Sequence, residues 1–342
     1  MKRIKYLLPV LLLGITVISC STEDDNGNGE PLPNPVFANL FATSNTNNSI
    51  LSFDFTANGV DLRSFTTSSA DNEGIYYDAD EDELSVNSRS QSAINTYANI
   101  DGSATGTAIT PFQSSSSVLD SPRDLVVKDN FYIVSDNGDV DGDPNTDDGR
   151  IFIFTRDANG YTLRNTVFVR YAVWGIQLIG DDLYTVVDKT ADVAVLKNFL
   201  TSFTADTTAT PNKRITIEGI TRTHGIAEDD GFVILTDIGD AANESDGGFH
   251  YINNFVSKFN ATPNGGTLAF AGNQVRVSGS LTGLGNPVSV EYEHSDNTVF
   301  IAERANDGGK VLFFYNIQAG GNLAPSLSTT FPGASSLYYI DR

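Results

Sequence analysis

The sequence predicts an all-β protein in which a unit of four strands is repeated six times. The clearest unit opens with THGIAEDDGFVILTD at 223–237, where two short apolar strands flank an Asp-Asp-Gly turn. The same plan returns, with varying clarity, at 72–86, 122–136, 174–188, 286–303 and 331–341. These anchors lie roughly fifty residues or somewhat more apart, which is typical of repeat architectures. We therefore predict a six-bladed β-propeller. Seven blades are the alternative, because the long fourth unit could hold a degenerate blade.

The two ends of the folded part are predicted to share one sheet. Segments 36–55 and 298–317 align, since each is a strand, a polar loop and a second strand with alternating aromatic residues. The N-terminal segment therefore lacks the first strand of its unit, and the C-terminal ASSLYYI at 334–340 can supply it. We predict that three N-terminal strands and one C-terminal strand close the ring, which removes the unpaired edges of an open stack.

Five complete units are expected between these ends. Their predicted spans are 73–117, 122–169, 174–217, 223–277 and 286–330. In the first of them the outermost strand is expected at 107–112. No stretch after residue 20 has sustained apolar spacing at a helical period, so helices are not expected.

The composition suits a large folded domain and disfavours a nucleic-acid-binding protein. Of the 342 residues, 40% are hydrophobic and only 19% are charged. The formal net charge of −22 opposes nucleic-acid binding, whose affinity comes mainly from neutralising phosphates with Lys and Arg. We expect no nucleic-acid partner and interpret the acidity first as favouring solubility.

The N-terminus has the pattern of a bacterial lipoprotein signal peptide. A cationic start, MKRIK, precedes an apolar run at 7–18 that is too short to span a bilayer. The letters VISC, ending at Cys20, resemble the lipobox, in which the cysteine is diacylated and becomes the new N-terminus. Cys20 is the only cysteine, so no disulfide is expected. The alternative is an ordinary secretory signal with an accidental cysteine.

These features predict how the chain is organised and where it is located. Residues 1–19 are expected to be removed, 20–35 to form a lipidated, disordered acidic tether, and 36–342 to form the propeller. The tether has almost nothing to bury. An acidic run after the lipidated cysteine resembles the surface-export signals of Bacteroidetes lipoproteins. The resemblance implies a bacterial cell envelope protein, lipid-anchored in the outer membrane and exposed at the surface.

The repeats resemble those of NHL-type six-bladed propellers. A blade in that family typically opens P-x-G-I-A-V-D and continues L-Y-V-A-D. Here GIAEDDGFVILTD at 225–237 and GIQLIGDDLYTVVD at 175–188 match the pattern. Two other units depart from it, because Asp124 and Ser289 stand where glycine is usual. The resemblance covers nearly all of 36–342 and implies a fold without a chemistry.

One residue from each unit is predicted to lie at the mouth of the central channel. The innermost strand of each blade begins there, so the residue before the Gly-Ile pair is expected to face the axis. Reading that position in each unit gives Glu73, Arg123, Trp174, His224, Val288 and Gly333. The first four would form a polar ligand site with an aromatic wall. In the structural alternative an Arg–Glu pair links two blades, Trp174 is a core aromatic and His224 caps a loop.

Acidic residues end the second strand of four units. They are Asp136, Asp188, Asp237 and Glu303. Such a residue commonly accepts hydrogen bonds from the turn that follows its strand. The strand direction places these acids on the channel-mouth face, which is therefore expected to carry a negative potential.

The loop DNGDVDGDPNTDDGR at 136–150 predicts a calcium site. Its spacing resembles an EF-hand loop, with acids or amides at alternate positions and Gly142 at the sharp turn. The candidate ligands are Asn137, Asp139, Asp141, Asp143 and Asp148. Asn at the first position and Asp at the twelfth depart from the motif, and no helices are expected to flank the loop. The alternative is a solvated acidic loop.

Two functional classes follow from these observations. The first is a non-catalytic envelope lipoprotein whose propeller binds a protein or a glycan. The second is a metal-dependent hydrolase resembling gluconolactonases, which use six-bladed propellers and hold a divalent metal in the channel with Glu, Asn and Asp. Glu73-Gly74 resembles the opening of their first blade, whereas Arg123 and Trp174 cannot supply oxygen ligands.

Overall fold

The computed structural model describes residues 38–56, 59–143 and 145–341. The predicted signal peptide at 1–19, the lipidation site Cys20 and the tether at 20–35 lie outside this part of the chain. No helix within the described ranges has the length and apolar content needed to cross a bilayer.

Short strands make up most of the described chain. In order they are β1 (Ala38–Ser44), β2 (Ser49–Thr56), β3 (Gly59–Thr66), β4 (Asn72–Asp78), β5 (Glu83–Ser88), β6 (Ala93–Ala98), β7 (Thr107–Ala108), β8 (Gln113–Ser114), β9 (Pro122–Lys128), β10 (Phe131–Asp136), β11 (Gly149–Asp157), β12 (Gly160–Val169), β13 (Val173–Ile179), β14 (Asp182–Val187), β15 (Asp192–Leu196), β16 (Thr207–Ala209), β17 (Lys213–Ile217), β18 (Ile226–Asp229), β19 (Phe232–Asp237), β20 (Gly248–Ile252), β21 (Thr267–Leu268), β22 (Val275–Ser278), β23 (Pro287–Glu293), β24 (Thr298–Glu303), β25 (Lys310–Phe314), β26 (Leu327–Thr330) and β27 (Ala334–Asp341). The helical segments are α1 (Phe199–Ser202), α2 (Phe255–Ala261) and two 3₁₀ turns, Asn306–Gly308 and Ile317–Ala319.

The strands form six small sheets arranged as the blades of a propeller. Each blade has four antiparallel strands, which are β27-β1-β2-β3, β4-β5-β6-β8, β9-β10-β11-β12, β13-β14-β15-β17, β18-β19-β20-β22 and β23-β24-β25-β26. The first strand of each set is the innermost one. The prediction of six blades is confirmed.

The predicted closure of the ring is confirmed by the pairing of β27 with β1. The two strands run antiparallel from Ala38 opposite Asp341 to Ser44 opposite Ala334. Strands β1, β2 and β3 come from the N-terminal side and β27 from the C-terminal side, as expected. Across the seam to the preceding blade, Phe53 packs against Phe313 with ring centroids 5.1 Å apart. Backbone hydrogen bonds therefore hold the closing blade together, and side-chain packing joins it to the preceding blade.

Three blades have a fifth, outermost strand that comes from the next blade along the chain. Strand β7 pairs in parallel with β3, β16 with β12 and β21 with β17. This corrects the prediction of one outer strand at 107–112: residues 107–108 belong to the edge of the preceding blade, and the outer strand of their own unit is β8. These short parallel strands cover edges that would otherwise expose unpaired backbone groups.

The length of the fourth unit comes from helix α2 and strand β21, and no seventh blade is present in the described residues. The expectation of no helices is therefore wrong for this segment. Phe255 and Phe259 of α2 are buried against Tyr184, with centroid distances of 5.6 and 5.2 Å. Tertiary packing stabilises this seven-residue helix, which is too short to be stable alone.

Neighbouring innermost strands approach so closely that small residues are needed at one position. A Cβ atom on Gly74 would lie 2.8 Å from the backbone carbon of Asp124, and one on Gly175 would lie 2.4 Å from the carbonyl oxygen of His224. Because glycine has no Cβ, the amide of Gly175 can approach this oxygen and donates a hydrogen bond of 2.9 Å to it. The glycines of the repeat therefore allow backbone from different blades to meet around the axis.

Removal of β27 tests whether ring closure stabilises the whole molecule. A chain that lacks 334–342 loses an innermost strand and exposes the edge of β1, so we expect a large drop in melting temperature and aggregation. A chain that lacks only 341–342 keeps nearly all of the β1–β27 pairing and serves as the control. Equal melting temperatures for the shorter deletion, the longer deletion and the intact protein would contradict this role of closure.

Candidate functional site

The four predicted channel-mouth residues meet in one continuous stack. The imidazole of His224 lies parallel to the indole of Trp174, with ring centroids 3.6 Å apart and an interplanar angle of 7°. The guanidinium carbon of Arg123 lies 4.1 Å from the centroid of the same indole. An oxygen of Glu73 is 3.6 Å from the Arg123 guanidinium. Residues from four successive blades are therefore in contact.

Each end of the stack is held by polar neighbours. At one end Glu73 accepts a hydrogen bond from Asn45, while the Nε of Arg123 donates to the side-chain oxygen of Asn137 at 2.8 Å. At the other end the Nε2 of His224 lies 2.9 Å from a carboxylate oxygen of Asp188. The stack thus begins and ends at a carboxylate.

Burial, hydrogen bonding and nearby charge together set the protonation states of the His224–Asp188 pair. Burial lowers the pKa of His224 to about 4, more than the Asp188 hydrogen bond raises it. The imidazole is therefore neutral at pH 7 and donates through Nε2. Burial alone would raise the pKa of Asp188, but its hydrogen bond to His224 and the charge of Arg222 lower it to about 2. The pair consists of a neutral imidazole and an ionised carboxylate.

The stack leaves little of its surface free. Exposure is 2% for Glu73, 8% for Trp174 and 4% for His224. Because Arg123 and His224 both lie over the indole, its faces are occupied by protein groups. Burial raises the pKa of Glu73 to about 7 despite the charge of Arg123. The geometry agrees with the structural alternative, and ligand binding by the four residues stays a prediction.

The sequence alignment assigned the wrong residue to the mouth in the last blade. Leu337 lies opposite Ala42, as Ile75 lies opposite Val86, so the residue equivalent to Glu73 is Ser335 rather than Gly333. The truncated unit offered too few landmarks to fix this register. Ser335 is buried and bonds to the backbone oxygen of Asn72 at 2.7 Å. In the remaining blade Val288 is buried and lines the channel, as expected.

The acids at the ends of second strands organise loops. Asp136 accepts hydrogen bonds from the backbone amides that precede β9, and Asp237 and Glu303 do the same before β18 and β23. Each thereby fixes the loop through which the chain enters its innermost strand. Asp188 differs, because its partners include Arg222 and His224 of the next blade.

The acidic loop between β10 and β11 brings three of the five candidate calcium ligands together. One carboxylate oxygen from each of Asp139, Asp141 and Asp148 lies within 4.8 Å of the others. Asn137 is turned away, since its oxygen accepts from Arg123. Asp143 accepts hydrogen bonds from the backbone and side chain of Asn145, which lower its pKa. Three carboxylates fit part of the shell of six to eight oxygens that calcium prefers.

Chelation tests the calcium hypothesis for this loop. If Asp139, Asp141 and Asp148 hold calcium, excess chelator should lower the melting temperature of the wild type, because an ion that binds only the folded state stabilises it by mass action. An Asp139→Ala/Asp141→Ala variant should respond little to chelator. An Asp240→Ala variant in the other long acidic loop should respond as the wild type does. If chelator does not change the melting temperature of the wild type, the calcium hypothesis is wrong and the loop is a solvated acidic loop.

Below the stack, the innermost strands enclose a central cavity of about 200 Å³. Arg123, Trp174 and His224 line it together with deeper residues, among them Asp124 and Glu291. Burial raises the pKa of Asp124 to about 6, against the effect of two backbone hydrogen bonds. These carboxylates are not among the site residues predicted from the sequence. They lie one and three residues beyond the mouth position, and a strict two-residue period would have missed them, because a β-bulge at Arg123 and at Val288 breaks the alternation there.

Comparison with solved structures supports the propeller fold. The chain is similar to a structure of a nidogen–laminin complex, with a TM-score of 0.57 and 11% identity over 88% of this chain and 98% of the other. It is also similar to a presumed 6-phosphogluconolactonase from Bacteroides fragilis, with a TM-score of 0.56 and 11% identity over 91% and 100%. For a protein from Lactobacillus plantarum the TM-score is 0.54 and the identity 12%, and the match covers 89% of this chain and 99% of the other. No protein-family profile and no curated protein matches the chain. At these identities the likeness extends to the fold alone.

Replacing Trp174 distinguishes a structural stack from a ligand wall. Trp174 packs in the apolar core between its own blade and the next, so Trp174→Ala should cost about 3–5 kcal/mol in the free energy of unfolding. Leu281 is 60% exposed, and Leu281→Ala should change that free energy by about 0.5 kcal/mol or less. Urea titrations of the three proteins make the comparison. A Trp174→Ala protein as stable as the Leu281→Ala protein would contradict a structural role.

Proposed function

We propose that this chain is a cell-envelope lipoprotein, lipidated at Cys20, whose propeller binds a protein or glycan partner. The sequence pattern around Cys20 supports the anchor, and the six-bladed fold supports a rigid display domain. One observation carries the binding role: the chemically versatile side chains of the channel mouth are engaged with one another. Glu73, Arg123, Trp174 and His224 stabilise the centre of a face rather than standing free for a reaction.

The proposed partner surface is the face around that stack. Two long loops rich in acids follow the second strands on this face, at 137–143 with 145–148 and at 238–247. A carboxylate oxygen of Asp147 in the first loop lies 2.7 Å from the Nζ of Lys189 in the next blade. The second contacts the next blade through the Asn306 side chain, which bonds to the backbone oxygen of Glu244 at 3.0 Å. These tethers hold the loops in place for a partner with a complementary basic or hydroxyl-rich surface.

The hydrolase alternative has weaker support. The B. fragilis structure shares the fold, and its description is the reason to consider a lactone substrate. The metal of gluconolactonase-like enzymes does not fit the mouth of this channel. The equivalent mouth positions in the three blades after that of Glu73 hold Arg123, Trp174 and His224, none of which supplies an oxygen ligand. The Glu73 carboxylate is already paired with the Arg123 guanidinium at 3.6 Å. A cation beside a metal would weaken its binding. We therefore derive no step through such a metal.

Cross-linking in cells tests both parts of the proposal. A photoreactive residue is placed on the mouth face at Asp143, or at the opposite end of the strands at Asp80, both of which are exposed. We expect the Asp143 site to yield a specific adduct and the Asp80 site to yield none. With Cys20→Ala the protein should lose its lipid label and leave the membrane fraction.

The possible failures of this experiment are distinguishable. If Cys20→Ala keeps both the label and the membrane association, the lipoprotein assignment is wrong. If the lipidated protein gives no adduct at Asp143, or equal adducts at both sites, the mouth face is not the partner surface. Lactone hydrolysis by purified protein that survives Glu73→Gln but not Asp124→Asn would favour an enzyme acting inside the channel.

A further inference from the structure

The central cavity beneath the stack has room for a small ligand, although it is smaller than the roughly 300 Å³ at which pockets for drug-sized molecules begin. Its volume of about 200 Å³ exceeds that needed for a single water molecule many times over. The innermost strands of all six blades contribute to its wall, so the cavity lies on the axis of the ring. It is distinct from the partner surface proposed above, which lies on the face outside the stack.

The charges of the wall are unbalanced. Three acids line the cavity, namely Asp124, Glu228 and Glu291. Among its described lining residues Arg123 is the one Lys or Arg, and its guanidinium is committed to Glu73, Asn137 and the indole of Trp174. The His224 imidazole is bonded to Asp188 and neutral at pH 7. No positive charge of the wall is therefore free to face these carboxylates.

Glu291 is the least satisfied of the three acids. Asp124 accepts hydrogen bonds from the backbone amides of Ile176 and Leu125, and Glu228 accepts one from Gly231. The Glu291 side chain is partly exposed, and its carboxylate has no hydrogen-bond or ion-pair partner among the described residues. Burial and the nearby charges of Asp124 and Asp229 raise its pKa well above its usual value. A carboxylate held in this way favours either a proton or a bound cation.

Aromatic rings lie beside Glu291. Tyr76 and Tyr338 both line the cavity and meet edge to face, with centroids 5.1 Å apart. Burial, Tyr76 and the charge of Glu291 raise the pKa of the Tyr338 hydroxyl, which therefore stays protonated at neutral pH. A carboxylate next to electron-rich aromatic faces is a combination that suits an organic ammonium group.

The arrangement favours an organic cation over a metal ion. Calcium requires six to eight oxygen ligands around one point. The only group of three acidic, His or Cys side chains that converges in this way, within the described ranges, is the Asp139–Asp141–Asp148 loop outside the channel. The acids of the cavity are spread around its wall and leave room for a larger cation between them.

We propose that the central cavity binds a small organic ammonium ion, with Glu291 as its counter-ion, Asp124 as a second carboxylate and the Tyr76–Tyr338 pair as an aromatic wall. The ligand neutralises a carboxylate that the protein itself leaves unpaired. Trp174 borders one end of the cavity, so its fluorescence reports occupancy.

Matched pairs of charged and uncharged probes test this site. Choline and its isostere dimethylbutanol, in which carbon replaces the quaternary nitrogen, are titrated into the full-length Cys20→Ala protein by calorimetry and Trp174 fluorescence. Butylamine and butanol form a second pair for a primary ammonium. We expect at least one ammonium probe to bind and its neutral partner not to bind.

Three variants localise the binding. Glu291→Gln keeps the shape of the side chain and removes its charge, so it should weaken ammonium binding about tenfold or more. Asp124→Asn should weaken binding by a smaller factor, and Glu244→Gln, an exposed acid outside the channel, should leave it unchanged. The site is refuted if no ammonium probe binds, if the neutral partners bind equally well, or if Glu291→Gln binds as tightly as the parent. An equal loss in Glu244→Gln would also refute it, because the effect would then reflect the overall negative charge.

Discussion

Six innermost strands approach one another closely around one axis, and this crowding limits which residues the channel can contain. At their narrowest point, backbone of one blade touches backbone of the next, and Gly74, Gly175 and Gly225 leave the space that this contact needs. Ser289 and Ser336 occupy the same position in their blades, and each accepts a hydrogen bond from a neighbouring blade. The donors are the amide of Leu337 for Ser289 and the amide of Gly74 for Ser336. The geometry of the ring therefore determines which residue types can stand at each level of the channel.

The chemistry of the channel follows from that crowding. Residues just before the small position lie at the mouth, and three of them, Arg123, Trp174 and His224, stack on one another there. One residue deeper, Asp124 is the exception among small residues, and its carboxylate reaches across to the amide of Ile176 in the next blade. The closed stack at the mouth and the acidic cavity beneath it thus form two separate environments on one axis.

At the periphery, a ring of small sheets has many strand edges whose backbone groups need partners. Short parallel strands borrowed from the next blade cover three of them, and the β1–β27 pairing joins the two ends of the chain. Acids at the ends of second strands then fix the loops that lead back to the axis. Because these contacts stabilise the ring, the channel-mouth face can carry two long acidic loops.

The repeat of strands predicted a ring with a shared closing sheet and four of the side chains that meet at its mouth, because it fixes equivalent positions wherever its landmarks are clear. The structure decided between six and seven blades, since the extra length of the fourth unit is α2 and β21. The sequence could not determine that Ser335 rather than Gly333 belongs to the set of mouth residues, since register depends on pairing partners far away in the chain. Helix α2, the borrowed edge strands and the separation of Asn137 from the other acids of its loop were also decided by tertiary contacts. Whether Trp174 presents a free face or is covered on both depends on neighbours from other blades, and only the folded ring brings those neighbours together.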